Sequence, residues 1–426
     1  MLWVMLGSMI FLLVLGFPMM VPLIVAPLLV IATYLKGFDP MMLIQQILAG
    51  IRPLALIAVP MFIFAADVIT TGQVARRLID FVMAFLGHVK GGLAITTTAA
   101  CTFFGAVSGS TQATVVAIGE TMRPFLLEDG YDDSFNMALI INAAGIALLI
   151  PPSISMIIYG VVTGSSVGEL FIAGIGPGIL VFVLFSAYCY IASRGMGVKA
   201  RERFDWGKRM VAFKRGLIPL GFPAIILGGI YSGYFSPTEA AAVSVLYAVI
   251  VESFVYKHLK LKDYYRIALS TGLVTAVVFI LVAMGAAFSW LVAFTRIPDM
   301  LLPPILGSDP TIFRLLIVIA VSYFIACMFV DSIVAIMILS PIFAPWVARL
   351  GIDPVLVGVL VTMQAAIGAV TPPFGCNIFT AMAVFRRPYV DVVRRIGPFL
   401  ILYVIATLAV ILFPDIALFL RDMAFR

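Results

Sequence analysis

The chain has 426 residues, of which 63% are apolar and only 11% charged, whereas a soluble domain carries about 25% charged residues. This composition excludes an ordinary soluble domain and leaves room for ten or more membrane spans of about 20 residues each. The net charge of +6 is typical of basic loops that orient a membrane protein, and no nucleic-acid partner is expected.

The N-terminal part of the chain predicts one bent segment and two shorter ones. Residues 2–35 form an apolar run broken near its middle by Gly16 and two prolines. A straight helix of that length would overshoot a hydrocarbon core about 30 Å thick, so a kinked or steeply tilted segment is expected. Residues 41–54 are predicted to lie at the membrane interface and 55–68 inside the membrane, and a polar linker is predicted at 70–77.

A polar, glycine-containing stretch then interrupts two apolar arms between residues 91 and 127. The stretch is Ser108-Gly-Ser-Thr-Gln112, and each arm of about 15 residues spans only about 22 Å as a helix. Two short arms around a polar tip predict a re-entrant hairpin. Non-helical backbone at membrane depth persists only where it is buried in protein or lines an aqueous cavity, so the tip should face a polar site. Two ordinary spans joined by an exposed turn are the alternative.

The next helix, predicted at 134–163, is broken in its middle by Pro151-Pro152. Two prolines remove two backbone donors and free carbonyl groups on the preceding turn. In a transporter such carbonyls suit a cation, and the positive end of the following half-helix suits an anion. A proline kink without a ligand is the alternative.

A basic segment at 194–215 separates the two halves of the chain. It holds eight of the 27 basic residues: Arg194, Lys199, Arg201, Arg203, Lys208, Arg209, Lys214 and Arg215. By the positive-inside rule it is predicted to be a cytoplasmic linker along the lipid headgroups.

The second half repeats the landmarks of the first. A hairpin is predicted at about 311–347 with the tip Val330-Asp-Ser332, and a broken helix at about 355–384. Four landmarks recur 221 residues later without a gap: Gly130 at Gly351, Pro151-Pro152 at Pro372-Pro373, Gly176 at Gly397 and Pro177 at Pro398. We therefore predict two structural repeats, residues 1–193 and 216–426. Duplication of a membrane domain with matching helix breaks indicates a secondary transporter.

Two other classes of membrane protein are less compatible with these features. An intramembrane serine protease needs a membrane-embedded histidine beside its serine, and the only histidines, His88 and His258, stand beside basic, loop-like sequence. No enzyme is expected. A channel would favour symmetric subunits around a pore over a duplicated chain with paired broken helices.

Several motifs resemble one family. Gly233-Tyr-Phe-Ser-Pro-Thr-Glu-Ala-Ala-Ala-Val243 is similar to the signature of the large membrane subunit of TRAP transporters, the tripartite ATP-independent periplasmic transporters. Further motifs resemble the same family over essentially the whole chain: Ser108-Gly-Ser110, Ile150-Pro-Pro-Ser153, Ile157-Ile-Tyr-Gly160 and Val370-Thr-Pro-Pro-Phe-Gly375. The second hairpin tip departs from the Ser-Gly-Ser pattern, so the two tips need not bind alike.

The resemblance implies an all-α polytopic protein of the bacterial inner membrane, built from two inverted repeats, with a scaffold and an elevator-type transport domain that contains both hairpins. It also implies sodium-driven uptake of an organic acid of the sialic-acid or C4-dicarboxylate type. A small four-helix membrane subunit and a periplasmic binding protein would complete the system. An ion-coupled anion symporter of a related hairpin fold, working without a binding protein, is the alternative function.

The substrate is expected where the hairpin tips meet the two double-proline breaks. The predicted polar contacts are Ser110, Asn142, Ser153, Ser155, Asn377 and Arg296. Arg296 is included because an arginine at the edge of an apolar span is costly without a role and can hold a carboxylate through two hydrogen bonds. Snorkelling of Arg296 to the headgroups is the alternative.

Two sodium sites are predicted, since sodium prefers oxygen ligands and the helix breaks supply them. The first would use Ser108, Gly109 and Ser110 with backbone carbonyls from Asn142 to Ala147, including Gly145. The second would use Asp331 and Ser332 with carbonyls from Ala366 to Thr371, including Gly368. A carboxylate at membrane depth is expensive without a partner, and a cation would supply one to Asp331. Alternatively, the tip reaches solvent and Asp331 only caps the second arm.

Overall fold

The computed structural model describes residues 1–35, 37–87, 91–196, 198, 206–307 and 310–425. Across those ranges the regular structure consists of helices, without a strand. Within the same ranges, seven helices are long and apolar enough to cross a membrane, or eight if a bent C-terminal pair is counted as one span. The all-helical, polytopic fold class is thereby confirmed.

The N-terminal region contains five helices: α1 (Leu2–Val14), α2 (Met20–Tyr34), α3 (Pro40–Gly50), α4 (Ala58–Thr71) and α5 (Val74–Leu86). The predicted break in the first run is confirmed, since Gly16 adopts a left-handed φ of 80° between α1 and α2. The linker predicted at 70–77 is wrong, because α4 and α5 occupy most of it. The carboxylate of Glu252, far away in sequence, accepts hydrogen bonds from the backbone N–H groups of Gln73 and Val74 and so caps α5.

The first half continues with a hairpin, a broken helix and a long helix: α6 (Gly92–Ser108), α7 (Thr111–Glu128), α8 (Asp133–Ala144), α9 (Ile154–Thr163) and α10 (Val167–Gly195). The hairpin arms have 17 and 18 residues, about 26 Å each. They are longer than predicted because the helices extend to both sides of a two-residue turn. Gly109 provides the left-handed φ of 58° at that turn, and the Ser110 side chain caps α7.

Three long helices follow: α11 (Trp206–Tyr231), α12 (Pro237–Ile250) and α13 (Leu261–Phe294). Of the basic segment predicted as a linker, residues 197 and 199–205 lie outside the described residues, and 206–215 form the first turns of α11. A capping box of Ser236 and Glu239 starts α12. A π-helical turn from Val251 to Val255 continues it.

The second half has the same order of hairpin and broken helix as the first, and it ends in a bent pair of helices where the first half has the long helix α10. Its helices are α14 (Ile297–Leu301), α15 (Pro303–Leu306), α16 (Ile312–Phe329), α17 (Ser332–Arg349), α18 (Pro354–Gly368), α19 (Cys376–Phe385), α20 (Tyr389–Val393), α21 (Gly397–Leu412) and α22 (Asp415–Phe425). The pair α21 and α22 bends by 55°. Both double-proline breaks contain a cis bond between the two prolines.

Glycines bring each hairpin close to the broken helix of its own half. A Cβ atom on Gly105 of α6 would lie 2.6 Å from the Cα atom of Ala147. A Cβ atom on Gly368 of α18 would lie 2.6 Å from the backbone carbonyl carbon of Cys327, in α16. Both contacts are closer than real Cβ atoms allow, so each hairpin tip is held beside a helix break by a position that needs glycine.

Candidate functional site

Both hairpin tips and both helix breaks border one cavity of about 220 Å³. Its walls come from α7, α9, α16, α17, α18 and α19 and from the turns between them. The lining residues are Gly109, Ser110, Thr111, Gln112, Leu148, Ile154, Ser155, Cys327, Phe329, Val330, Asp331, Ser332, Ile333, Ala365, Ala369, Phe374 and Cys376. The hairpin tips and the helix breaks therefore lie around one cavity, as the sequence predicts.

Four helices begin at this cavity. Thr111, Ile154, Ser332 and Cys376 are the first residues of α7, α9, α17 and α19, and all four line it. The N-terminal end of a helix carries a partial positive charge and free N–H groups, which favour an anion. Side chains already cap α7, α9 and α17, whereas Gly375 precedes α19 and provides no side-chain cap.

Each hairpin tip also contacts the second half-helix of the opposite half. The Thr111 hydroxyl donates a hydrogen bond of 2.8 Å to the side-chain oxygen of Asn377 in α19. The hydroxyl groups of Ser155 in α9 and Ser332 in α17 lie 2.9 Å apart and share a hydrogen bond. These crossed contacts tie the two halves together around the cavity.

Asp331 is the one charged residue among those that line the cavity. Sequence reasoning placed it in a buried position, but the structure exposes it to the cavity. Its Oδ1 atom accepts a hydrogen bond of 2.9 Å from the backbone N–H of Ile333, so it caps α17 as the alternative interpretation holds. Within the part of the chain that the structure describes, Asp331 forms no ion pair with a lysine or arginine. Its carboxylate can therefore still take a cation from the cavity.

The residues of the first predicted sodium site lie at the tip of the first hairpin and at the break after α8. The Ser108 hydroxyl is 3.2 Å from the hydroxyl of Thr114 and 3.3 Å from the carbonyl of Ser110. Gly109 lies against the carbonyl oxygen of Pro152. Gly145 starts a 3-10 turn and packs against the hydroxyl of Tyr403. Hydroxyl and carbonyl oxygens thus meet at this tip, and no charged side chain lies among them.

Asn142 belongs to the same break, but it is fully buried and does not line the cavity. Its backbone carbonyl accepts a hydrogen bond of 2.9 Å from Tyr403. Its side-chain nitrogen donates to the carbonyl of Ala138, and its side-chain oxygen has no hydrogen-bond partner among the residues that the structure describes. A buried oxygen without a donor is uncommon and suits a cation or a water molecule.

The carbonyls of the second predicted sodium site already accept hydrogen bonds. The Thr371 hydroxyl donates to the carbonyl of Ile367 at 2.6 Å, and the Thr371 N–H donates to the carbonyl of Gly368. The carbonyl of Ala369 accepts from the N–H of Asn377. In this half the side chains of Asp331 and Ser332 are therefore the oxygen groups most available to an ion.

The structure brings together only some of the predicted substrate contacts. Ser110 and Ser155 line the cavity. Asn377 is buried next to it, and Ser153 is fully buried, where it caps α9. Arg296 is exposed at the end of α13 in a left-handed conformation, and it is not among the residues that line the cavity.

Sequence reasoning missed two polar lining residues, Thr111 and Gln112, and two lining cysteines, Cys327 and Cys376. Thr111 stands 221 positions before Ser332, so the repeat itself could have identified it. Gln112 belongs to the polar tip that had been singled out. Cys376 had no signal in the sequence, because its place at the start of α19 depends on where the chain resumes a helix after the prolines.

Comparison with known proteins gives consistent results. Residues 6–416 match the family described as "Tripartite ATP-independent periplasmic transporter, DctM component". The chain is 58% identical to the ectoine TRAP transporter large permease protein TeaC of Halomonas elongata, over 99% of each chain. It is 57% identical to the ectoine/5-hydroxyectoine TRAP transporter large permease protein UehC of Ruegeria pomeroyi, over 98% of each.

A third relative and a solved structure are more distant. The C4-dicarboxylate TRAP transporter large permease protein DctM of Pseudomonas aeruginosa is 37% identical, over 86% of each chain. The crystal structure of the YdaH transporter of Alcanivorax borkumensis has a similar fold. Its TM-score is 0.65 at 14% identity, and the match covers 87% of this chain and 86% of that one.

Proposed function

Since this chain belongs to the DctM component family of tripartite ATP-independent periplasmic transporters, we propose that it carries a zwitterionic solute of the ectoine type across the bacterial inner membrane. Its relatives are transporter permeases and not enzymes, and it is a multi-pass membrane protein. The proposal replaces the sialic acid or C4-dicarboxylate expected from the sequence motifs, because the relatives at 58% and 57% identity are named for ectoine.

The observation that carries the substrate proposal is the charge of the cavity. It has one acidic lining residue, Asp331, no basic lining residue, and the starts of four helices around it. Ectoine has a cationic amidinium and a carboxylate, so its net charge is zero. With a cation bound to Asp331 the cavity side chains also sum to zero, which matches such a solute. A dicarboxylate would bring two negative charges without a basic side chain to receive them.

The carboxylate of the solute would bind at the start of α19. Gly375 provides no side-chain cap for that helix. The N–H groups of Asn377 and Ile378 already donate to the carbonyls of Ala369 and Gly375, so the carboxylate would bind at the N–H of Cys376, the first residue of α19. Ser110 and Ser155, which line the same cavity, would supply further hydrogen bonds. Arg296 has no role in this arrangement.

Sodium coupling is part of the same proposal. Two or more sodium ions would bind, one at Ser108, Gly109 and Ser110 beside Asn142 and Gly145. Another would bind at Asp331 and Ser332 beside the break that contains Gly368 and Thr371. The side-chain oxygen of Asn142, which has no partner in the described part of the chain, and the Asp331 carboxylate, which forms no ion pair there, support these two positions. An ion on Asp331 would remove its charge before the solute enters.

Large permeases of this family work with a substrate-binding protein and a small membrane subunit. We propose that a periplasmic binding protein delivers the solute here, and that a small four-helix subunit supports a scaffold along which both hairpins move together. The two halves would be inverted repeats.

Crossed ion pairs support the inverted arrangement. At the start of α8, Asp133 pairs with Arg387 at 3.1 Å, just after the end of α19. Asp353, which caps α18, pairs at 2.7 Å with Arg421, and Arg421 also reaches Glu169 at 3.4 Å, just after the end of α9. The start of α8 is thus tied to the chain just after α19, and the start of α18 is joined through Arg421 of α22 to Glu169 in the first turn of α10.

The direct test is uptake of radiolabelled ectoine into liposomes that contain this chain with its small subunit. We expect uptake only with the binding protein and an inward sodium gradient, and competition by hydroxyectoine but not by succinate or sialic acid. Uptake that proceeds equally without the binding protein would instead favour an ion-coupled symporter. Preference for succinate would refute the charge argument.

A further inference from the structure

A second cavity of about 480 Å³ lies between α5 and α11, separate from the one between the hairpin tips. Its lining residues are Gln73, Arg76, Arg77, Asp80, Phe81, Val211, Ala212 and Arg215. Three arginines face one aspartate, and none of these residues lines the first cavity. The transport site described above therefore does not account for this concentration of positive charge.

Two of the arginines, Arg76 and Arg77, stand in the first turn of α5. The fully buried carboxylate of Glu252 accepts hydrogen bonds from the N–H groups of Gln73 and Val74 at 2.8 and 2.9 Å, and so anchors the start of this helix. The Arg77 guanidinium stacks 4.1 Å from the centre of the Tyr256 ring. Because the Glu252 carboxylate already occupies the N–H groups at this helix end, the positive charge of the cavity comes from the arginine side chains themselves.

The helix opposite is held close by its own contacts. The Arg209 side chain of α11 donates a hydrogen bond of 3.1 Å to the carbonyl of Ala84 in α5. Gly216 lies against the Phe81 ring, since a Cβ atom there would be 2.8 Å from Cγ of that ring. The cavity wall is thus built from two packed helices. Within the described ranges, neither Arg76 nor Arg215 forms an ion pair within 4.0 Å.

One side of the cavity continues into an exposed apolar surface of α11. Val211, Met210 and Leu217 are each about half exposed, and Trp206 at the start of the helix is 66% exposed. Exposed apolar side chains near an interfacial tryptophan are typical of a helix that meets lipid at headgroup level. A soluble phosphate compound would leave this apolar surface uncovered, whereas the acyl chains of a lipid would pack against it.

We propose that this cavity binds an anionic phospholipid, with the phosphate held by Arg76, Arg77 and Arg215 and the acyl chains along the exposed face of α11. Arginine is suited to phosphate because its guanidinium donates two parallel hydrogen bonds. Basic pockets beside membrane helices bind headgroups of this kind. The site would fix α5 and α11 in one leaflet and is independent of the solute that the protein carries.

Lipid titration of the purified full-length protein, followed by native mass spectrometry, tests this site. Phosphatidylglycerol should bind at least tenfold more tightly than phosphatidylcholine. Arg215→Gln and Arg76→Gln should each weaken phosphatidylglycerol binding about fivefold, since each removes one phosphate contact. Lys214→Gln is the matched control, because Lys214 neighbours Arg215 on α11 but does not line the cavity. It should change binding less than twofold.

Three results would overturn the proposal. Equal binding of the two lipids would show that the cavity does not select a negative headgroup. An equal loss in Lys214→Gln and Arg215→Gln would reduce the effect to general surface charge. Displacement of phosphatidylglycerol by millimolar inorganic phosphate would show that a free phosphate, and not a lipid, is the occupant.

Discussion

The two hairpin tips occupy equivalent places in the chain and differ in chemistry. In the first, Gly109 adopts a left-handed φ of 58° and Ser110 caps α7. In the second, Val330 at the equivalent position is extended with a φ of −130°, and Asp331 caps α17. One tip therefore offers hydroxyl and carbonyl oxygens without a charge, and the other offers a carboxylate. A duplicated framework can keep its geometry while one copy acquires the charge that the other lacks.

The packing of each hairpin against its broken helix is also similar in the two halves but uses a different residue. The first half places its glycine on the hairpin, at Gly105 against Ala147, and the second places it on the broken helix, at Gly368 against Cys327. Ala147 and Gly368 are 221 positions apart. Both halves thus keep the close approach of hairpin and broken helix. The glycine that permits it belongs to the hairpin in one half and to the broken helix in the other.

Removing the charge of the second tip should have the largest effect. Asp331→Asn can still cap α17 but cannot balance a cation, so we expect uptake to fall about 100-fold, or the sodium concentration for half-maximal uptake to rise by a similar factor. Sodium titration of ectoine uptake in proteoliposomes measures both. Asp132→Asn is the matched control, since Asp132 also caps a helix but lies outside the cavity. A wild-type sodium curve in Asp331→Asn would refute the ion site.

Substitution of the glycines that permit the close contacts should have the second-largest effect. Gly105→Ala and Gly368→Ala each place a Cβ atom against backbone, which cannot move aside, so each should destabilise the protein by about 1–3 kcal/mol. Thermal unfolding in detergent measures the loss. Gly228→Ala serves as the control, because no atom lies within 4 Å of the added group. If only one of the two substitutions destabilises, the two halves do not share this packing requirement.

The crossed hydrogen bond between the halves should contribute less. Ser155→Ala and Ser332→Ala break one hydroxyl pair, so a double-mutant cycle on unfolding free energy should give a coupling of about 1 kcal/mol. Ser155→Ala combined with Thr111→Val should be additive, because those side chains share no hydrogen bond. Additive effects of the two serine substitutions would show that the second tip is not tied to α9.

The smallest effect is expected outside both tips. Arg296 is exposed and does not line the cavity, so Arg296→Ala should leave the apparent affinity for ectoine within about twofold of wild type. Concentration dependence of uptake measures this. A much weaker affinity would mean that a basic side chain reaches the solute, and the charge balance assigned to Asp331 would then be wrong.

The sequence predicted the parts of this arrangement that depend on local chemistry. The hairpin tips and both helix breaks follow from glycine, serine and double-proline motifs, and their meeting follows from the 221-residue repeat. Contacts between distant residues had no local signal. The hydrogen bond of Thr111 with Asn377 joins residues 266 positions apart, and α5 begins where Glu252 caps it from 178 positions away. The exposure of Asp331 also depends on how the two halves pack.

Arg421 has a consequence for the order in which the protein is made. Its guanidinium contacts Glu169 and Asp353, which precede it by 252 and 68 positions. Both carboxylates therefore leave the ribosome before the side chain that joins them exists. During synthesis the two halves must insert and come together without this clamp, and a chain that stops before α22 leaves both acidic groups unjoined. The contacts of Arg421 with Glu169 and Asp353 can therefore form only after α22 has been synthesised.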